Sequence, residues 1–248
     1  MDNVRSATPG QVRRSPSVPA HWPIRRHVAA AETTPAGPLH LVEVTVPAKT
    51  NLTLHVGPAH EEWGGRHALD TIYCAIGVND VVTATAKTPG SGFSLELSGE
   101  HLGDLASSGS DMRRNHAVLA LFAIARAAGR EPDVALHVDK HIPVGAGLGG
   151  GSADAAATLL AVNTLWGLHW PIERLRDIAA TLGADMPFCL EGGYAHGTGF
   201  GERIIPLEDD SSCVQTLRDR GFAGQLLVGA YHAQLSTCLL YTSDAADD

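Results

Sequence analysis

The chain has 248 residues, 44% of them hydrophobic and only 5% aromatic, and 18 Lys+Arg stand against 27 Asp+Glu for a formal net charge of −9. That balance argues against a general nucleic-acid or anionic-membrane binder, although a local basic patch is compatible with it. The apolar share can bury a real core in one or two domains, and no run of about 18 apolar residues could cross a bilayer as a helix. Cys74, Cys189, Cys213 and Cys238 lie far apart without CxxC spacing, the pattern of reduced thiols in a cytoplasmic protein.

Residues 1–38 hold five arginines and little periodic apolar content, so they read as a disordered basic tail without the apolar stretch of a secretory signal. Leu41, Val42, Val44 and Val46 form a β-rich run expected to end at Pro47, and Leu52 to Val56 alternate as a second strand. Pro58 to Arg66 reads as loop. Two further strands are expected over Thr71–Val78 and Val81–Ala86, and Phe93, Leu95 and Leu97 alternate strictly in another. Helical spacing first shows at Val118, Leu121, Phe122 and Ala125, with Gly129 as its stop. Val134, Leu136 and Val138 mark a strand, and the Ala-rich segment Ala153 to Trp166 is apolar almost all round, as a buried helix is. A helix over Ile172 to Leu182 ends at Gly183, and short strands are expected near Tyr194–His196, Ile204–Ile205 and Leu226–Tyr231. Several strands precede the first helix, which is an α+β order. Cys238 to Asp248 read as an aberrant tail that completes no element.

The segment from Pro143 to Ala156, PVGAGLGGGSADAA, joins a predicted strand to the buried helix. Glycine tolerates positive φ and close approach to a ligand, and a helix N-terminus behind it favours anions, which together make a phosphate cradle. A flexible linker is the bland alternative, but a linker does not lead straight into a buried helix. The segment lacks the lysine of a P-loop. Gly145, Gly147 and Gly150 spell the dinucleotide G-x-G-x-x-G, yet that fingerprint wants an acidic residue about 20 positions on, at a strand end. Asp177 is misplaced for it and lies in a helical pattern. A third pattern, Pro-x3-Gly-Leu with a following Ser-Ala, fits Pro143, Gly147, Leu148, Ser152 and Ala153.

This last pattern resembles the second motif of the GHMP small-molecule kinases. Its wording, with Lys140 ahead of it, is most similar to the 4-diphosphocytidyl-2-C-methyl-D-erythritol kinases of that group. Val46–His55 (VPAKTNLTLH) resembles the group's opening PAKxNLxLxV segment, and Leu182–Phe188 (LGADMPF) with Gly199–Glu202 (GFGE) resembles its GADVPF…GxGE segment. The likeness covers roughly residues 41 to 237 in the group's order. It implies the α+β fold of the GHMP N-terminal domain (ribosomal protein S5 domain 2-like) over 39–206, with 207–237 as the start of a second, C-terminally truncated α+β domain. It further implies ATP-dependent phosphorylation of the 2-hydroxyl of 4-(cytidine 5'-diphospho)-2-C-methyl-D-erythritol in non-mevalonate isoprenoid synthesis. ATP and Mg²⁺ are the cofactors so implied, with a cytidylyl alcohol as substrate, no nucleic-acid or membrane partner, and a cytoplasmic setting. Another GHMP kinase of mevalonate or homoserine type, a nucleotide-binding fragment without turnover, and a dinucleotide-binding oxidoreductase are the alternatives.

The resemblance assigns residues one by one. Asp185 matches the catalytic aspartate, although Gly183-Ala-Asp-Met-Pro also suits a helix N-cap. Lys49 matches the catalytic lysine, where a lone strand lysine is ordinarily a solvated edge charge. Asn51 is expected to hydrogen-bond the substrate or hold Asp185. Pro143, Gly145, Gly147, Leu148, Gly149, Gly150, Gly151 and Ser152 would cradle ATP, with Asn115 at the adenine. Ser152 would also place Mg²⁺ or a phosphate oxygen, or serve only as an N-cap. His67 would hydrogen-bond the cytosine. Where the group has DGYH this chain has Gly64-Gly65-Arg66-His67, so Arg66 replaces an aromatic that would stack on the base. A guanidinium plane can also stack, and Trp63 is a further aromatic nearby. His137 and His141 lack a metal-ligand cluster and read as strand surface.

Overall fold

The computed structural model describes residues 39–100, 102, 112–208, 210–221 and 226–228. The expected basic tail 1–38, residues 229–231 of the last expected strand and the tail 238–248 lie outside them; 226–228 are irregular rather than a strand.

Two long strands, β1 (Leu41–His60) and β2 (Arg66–Ala86), pair antiparallel and are joined by a 3₁₀ turn at Glu61–Trp63. Each was expected as two strands, with Pro47 as a stop and Pro58–Arg66 as loop. The structure instead keeps both continuous and shifts the register at Pro47/Ala48, Asn51/Thr53 and Val56/Ala59. Proline lacks a donor, so a strand passes through it at a bulge or an edge. Among the described strands β1 pairs with β2 alone, which leaves its other side an edge.

The rest of the sheet is built around β2. Its C-terminal half pairs with β4 (Val134–Lys140), which β3 (Ser94–Gly99) accompanies in parallel. Its N-terminal half pairs with β5 (Tyr194–Thr198), and β6 (Arg203–Pro206) closes that side. Val42, Val44 and Val46 of β1 and Val82 and Ala84 of β2 alternate into the core, as a half-buried sheet requires.

The helices are α1 (His116–Ala128), α2 (Gly150–Leu165), α3 (Ile172–Leu182), α4 (Met186–Glu191) and α5 (Ser212–Asp219). α2 is the centre, in contact with β1, β2, α1, α3 and α4. Ala153, Ala155, Ala156, Ala157 and Ala161 are fully buried on it; short side chains let strands and helices approach its axis from several sides. α2 begins at Gly150, three residues ahead of the expected Ala153, because the glycines themselves turn into the helix. α5 was not expected, although its signal is present: the Ser211 hydroxyl accepts from Val214 N–H at 3.3 Å as an N-cap. No helix among the described residues is long and apolar enough to cross a membrane.

Candidate active site

β4 ends at Lys140, and residues 141–149 lead back into α2. Along this loop Gly145, Gly147 and Gly149 take φ of +76°, +74° and +71°. The alternation turns the chain tightly around an open cleft of about 250 Å³. Of the residues expected to cradle a nucleotide, Pro143, Gly145, Gly147, Leu148, Gly149, Gly150, Gly151 and Asn115 line this cleft, and Ser152 does not. Nor is Ser152 a cap: Gly149 holds that position, without a side-chain hydrogen bond, and Ser152 sits in the first turn. The leading N–H groups of α2 therefore have no capping side chain, the arrangement that suits an anion. Asn115 caps α1 by accepting from Ala117 N–H at 2.9 Å. Arg114, His116, Lys140 and Asp154 also line the cleft and were not singled out from sequence as site residues. Burial, and then the nearby Lys140 charge, hold the His116 imidazole below its ordinary value.

Lys49 and Asp185, far apart in the chain, meet beside this loop. The Lys49 ammonium is 3.0 Å from Asp185 Oδ2 and donates to Asn51 Oδ1 at 3.0 Å. Lys49 is 7% exposed, so it is no solvated edge charge. Its backbone N–H donates to the Leu148 carbonyl at 2.9 Å, which ties β1 to the glycine loop. A Cβ on Gly149 would stand 2.8 Å from Lys49 Cγ, so only glycine lets the lysine stem pass. Asp185 precedes α4 but its side chain caps nothing; Pro187 already removes one orphan donor from the first turn. Its carboxylate is spent instead on Lys49 and on the Tyr73 hydroxyl at 3.0 Å. Asn51 holds Lys49 rather than Asp185, and its amide donates to Thr71 Oγ1 at 2.7 Å.

A second charged group lies under the cleft. The Lys140 ammonium is buried between Asp80 and Asp154, 2.7 Å from Asp154 Oδ2. Asp80 also accepts from the backbone N–H groups of His141 and Ile142, at 2.6 and 2.8 Å. Asp154 has no such support, and among the described residues its Oδ1 has no hydrogen-bond partner. Burial, with Asp80 beside it, therefore raises the Asp154 carboxyl above the usual range against the pull of Lys140. Nothing in the spacing of Asp80, Lys140 and Asp154 announces this cluster.

Arg66 and His67 stand apart from the cleft, at the end of the β1–β2 hairpin. The Arg66 guanidinium lies over the Phe200 ring at 4.4 Å, and Trp63 meets the same ring edge-on with centroids 6.0 Å apart. His67 Nδ1 bonds the Gly57 carbonyl at 2.8 Å and the residue is exposed. His137 and His141 pair with Ser98 and Asp139 on β3 and β4, in line with the strand-surface reading. Among the described residues no three His, Cys, Asp or Glu gather as metal ligands.

Residues 115–193 match the GHMP kinases N terminal domain. Over 205 residues the chain is 72% identical to a 4-diphosphocytidyl-2-C-methyl-D-erythritol kinase of Bifidobacterium adolescentis, covering 83% of this chain and 67% of that one. The chain belongs to the GHMP kinases. Within them it is also 74% identical over 200 residues to the 4-diphosphocytidyl-2-C-methyl-D-erythritol kinase of Bifidobacterium longum subsp. infantis, covering 81% of this chain and 63% of the relative. A solved 4-(cytidine 5'-diphospho)-2C-methyl-D-erythritol kinase superposes with a TM-score of 0.52 at 37% identity, over 66% of this chain and 55% of that one. This GHMP kinase chain thus spans 67% and 63% of the length of these two relatives, and the α+β class expected from its strand-first order is the class observed. The dinucleotide alternative falls with the fold, because the sheet is mainly antiparallel and the glycine loop leads from β4 into α2, after which the next strand, β5, pairs antiparallel with β2 rather than completing a parallel βαβ unit.

Proposed function

We propose that the chain carries the nucleotide-binding and phosphoryl-transfer centre of an ATP-dependent kinase acting on the 2-hydroxyl of 4-(cytidine 5'-diphospho)-2-C-methyl-D-erythritol, a step of non-mevalonate isoprenoid synthesis in the cytoplasm. The Lys49–Asp185 pair at 3.0 Å, beside a glycine loop that opens an uncapped helix, carries this reading. Phosphoryl transfer asks for positioning and charge neutralisation more than covalent chemistry. The loop from Pro143 to Gly151 would take the phosphates on backbone N–H groups, with Asn115 toward the adenine. Asp185 would orient the substrate hydroxyl and accept its proton, and Lys49, steadied by Asn51, would neutralise the charge that develops on that oxygen. Mg²⁺ keeps several waters and phosphate oxygens as ligands, so it needs few protein donors; Ser152, expected from the resemblance to hold it, lies in the first turn of α2 but off the cleft that its neighbours line, so it does not fit that role and no step is routed through the ion.

The hairpin end would hold the cytidylyl group, with His67 hydrogen-bonding the base and the Arg66–Phe200 stack, flanked by Trp63, standing where the group has an aromatic. Residues 39–206 would form the ATP-binding domain and 207–237 the start of the second. Identities of 72% and 74% to kinases named for this substrate favour it over mevalonate or homoserine. The test offers ATP with the cytidylyl alcohol, mevalonate or homoserine and follows ADP release and the phosphorylated product. Transfer to the cytidylyl alcohol alone is expected. Transfer only to another alcohol, or none to any, overturns the reading.

A further inference from the structure

Tyr73 sits in the middle of β2 with no exposed surface, yet its hydroxyl reaches the catalytic pair. The ring stacks on Phe188 of α4 with centroids 4.8 Å apart and planes at 20°. Room for it is cut by two glycines: a Cβ on Gly197 would enter the ring, and one on Gly201 would stand 2.8 Å from the hydroxyl. Its hydroxyl has two acceptors in reach, Asp185 Oδ1 at 3.0 Å and the Gly201 carbonyl at 3.4 Å. The shorter contact goes to the charged group. Burial first, and then the Asp185 carboxylate, hold the phenol far above its ordinary value, so it remains a donor at any working pH.

We propose that Tyr73 is a positioning residue of this site: its hydroxyl, with Lys49, fixes the Asp185 carboxylate in the one rotamer that presents its free lone pairs to the substrate hydroxyl. This rests on the role given to Asp185 under the proposed function. The geometry supplies the reason. Lys49 grips Oδ2 through a long stem with four rotatable bonds, while Tyr73 grips Oδ1 from a ring clamped between Phe188 and the two glycines. One flexible anchor leaves a carboxylate free to pivot about its last bond; a second, rigid anchor on the other oxygen defines its plane. The Asp185 side chain stays 31% exposed, so the face away from both anchors is open to a substrate.

Tyr73→Phe in the full chain is the test, because it removes the hydroxyl and keeps the ring on Phe188. Loss of one hydrogen bond to a charged group corresponds to a fall in kcat of about tenfold. KM for ATP and for the alcohol should stay within about twofold, which a general loosening of the site would not produce. Crystal structures of both proteins give a readout free of activity: Asp185 should hold one rotamer in the parent and more than one in Tyr73→Phe. A single unchanged Asp185 rotamer in the variant overturns the proposal, as does a loss of turnover carried by KM instead of kcat. Should the parent transfer no phosphate to the cytidylyl alcohol, the functional reading fails by itself, and the rotamer comparison still decides the role of Tyr73.

Discussion

Gly149→Ala tests whether the glycine loop and Lys49 are one mechanical unit. Gly149 stands at φ +71°, where an L side chain costs about 1–2 kcal/mol. The added methyl would also meet Lys49, 2.8 Å from Cγ and 3.2 Å from Cε. To regain ordinary contact at 3.4 Å, Cγ must retreat by about 0.6 Å. That atom is in the middle of the stem, so the ammonium is carried with it. Its 3.0 Å contacts to Asp185 and Asn51 would open toward about 3.5 Å, where a hydrogen bond is lost. Misplacement of this size costs roughly 10- to 100-fold in turnover. Gly129→Ala, at the end of α1 and outside the site, is the control: its φ of +62° brings the same backbone strain, but nothing among the described residues lies within 4 Å of the new methyl. Both variants should melt roughly 2–8 °C lower, the shift such strain gives in a chain of this size. At saturating ATP, only Gly149→Ala should lose kcat on the stated scale. Equal kcat in the two variants, within about twofold, refutes the coupling through Lys49.

Three further outcomes follow from the same geometry. Asp185→Asn keeps a side chain for Tyr73 to hold but removes the ion pair with Lys49, so kcat should drop by about 10²-fold or more; calorimetric titration should show ATP affinity nearly unchanged, and near-parental turnover would leave Asp185 a structural residue. His116 is held below its unfolded value by burial, so its contribution to stability is present above about 6.5 and is lost as pH falls through that value toward the folded one. His116→Leu should accordingly flatten the melting-temperature curve between about pH 7 and 5, and parallel curves for the two proteins would contradict this. Burial pushes the Cys74 thiol up to about 11 and Cys189 higher still, while Cys213 is exposed; a thiol reagent at pH 8 should label Cys213 and spare the other two until denaturant is added, as peptide mapping would reveal.

The parts of this chain written locally were readable locally. The α1 stop at Gly129 rests on one left-handed residue, and the Ala-rich run of α2 had to be buried because it has no polar face. The strand breaks were misread because Pro47 carries a strong local stop signal, and only pairing along the whole length of β2 shows that a register shift absorbs it. The same limit applied to Asp185. Its local surroundings favour an N-cap, and what decides otherwise is a lysine from β1 and a phenol from β2 that the sheet brings to it.

By itself, then, the sequence determined the α+β order, the glycine loop and the residue types that gather at the candidate site, because φ preference, periodicity and turn chemistry act over a few neighbouring residues. Which partner each side chain has was decided by tertiary structure alone. Asn51 holds Lys49 rather than Asp185, Ser152 stays off the cleft that its neighbours line, and Lys140 lies buried between Asp80 and Asp154. Each depends on contacts between segments far apart in the chain. Hydrogen bonds and ion pairs at about 3 Å are set by how strands and helices pack, a distance no spacing along the sequence encodes.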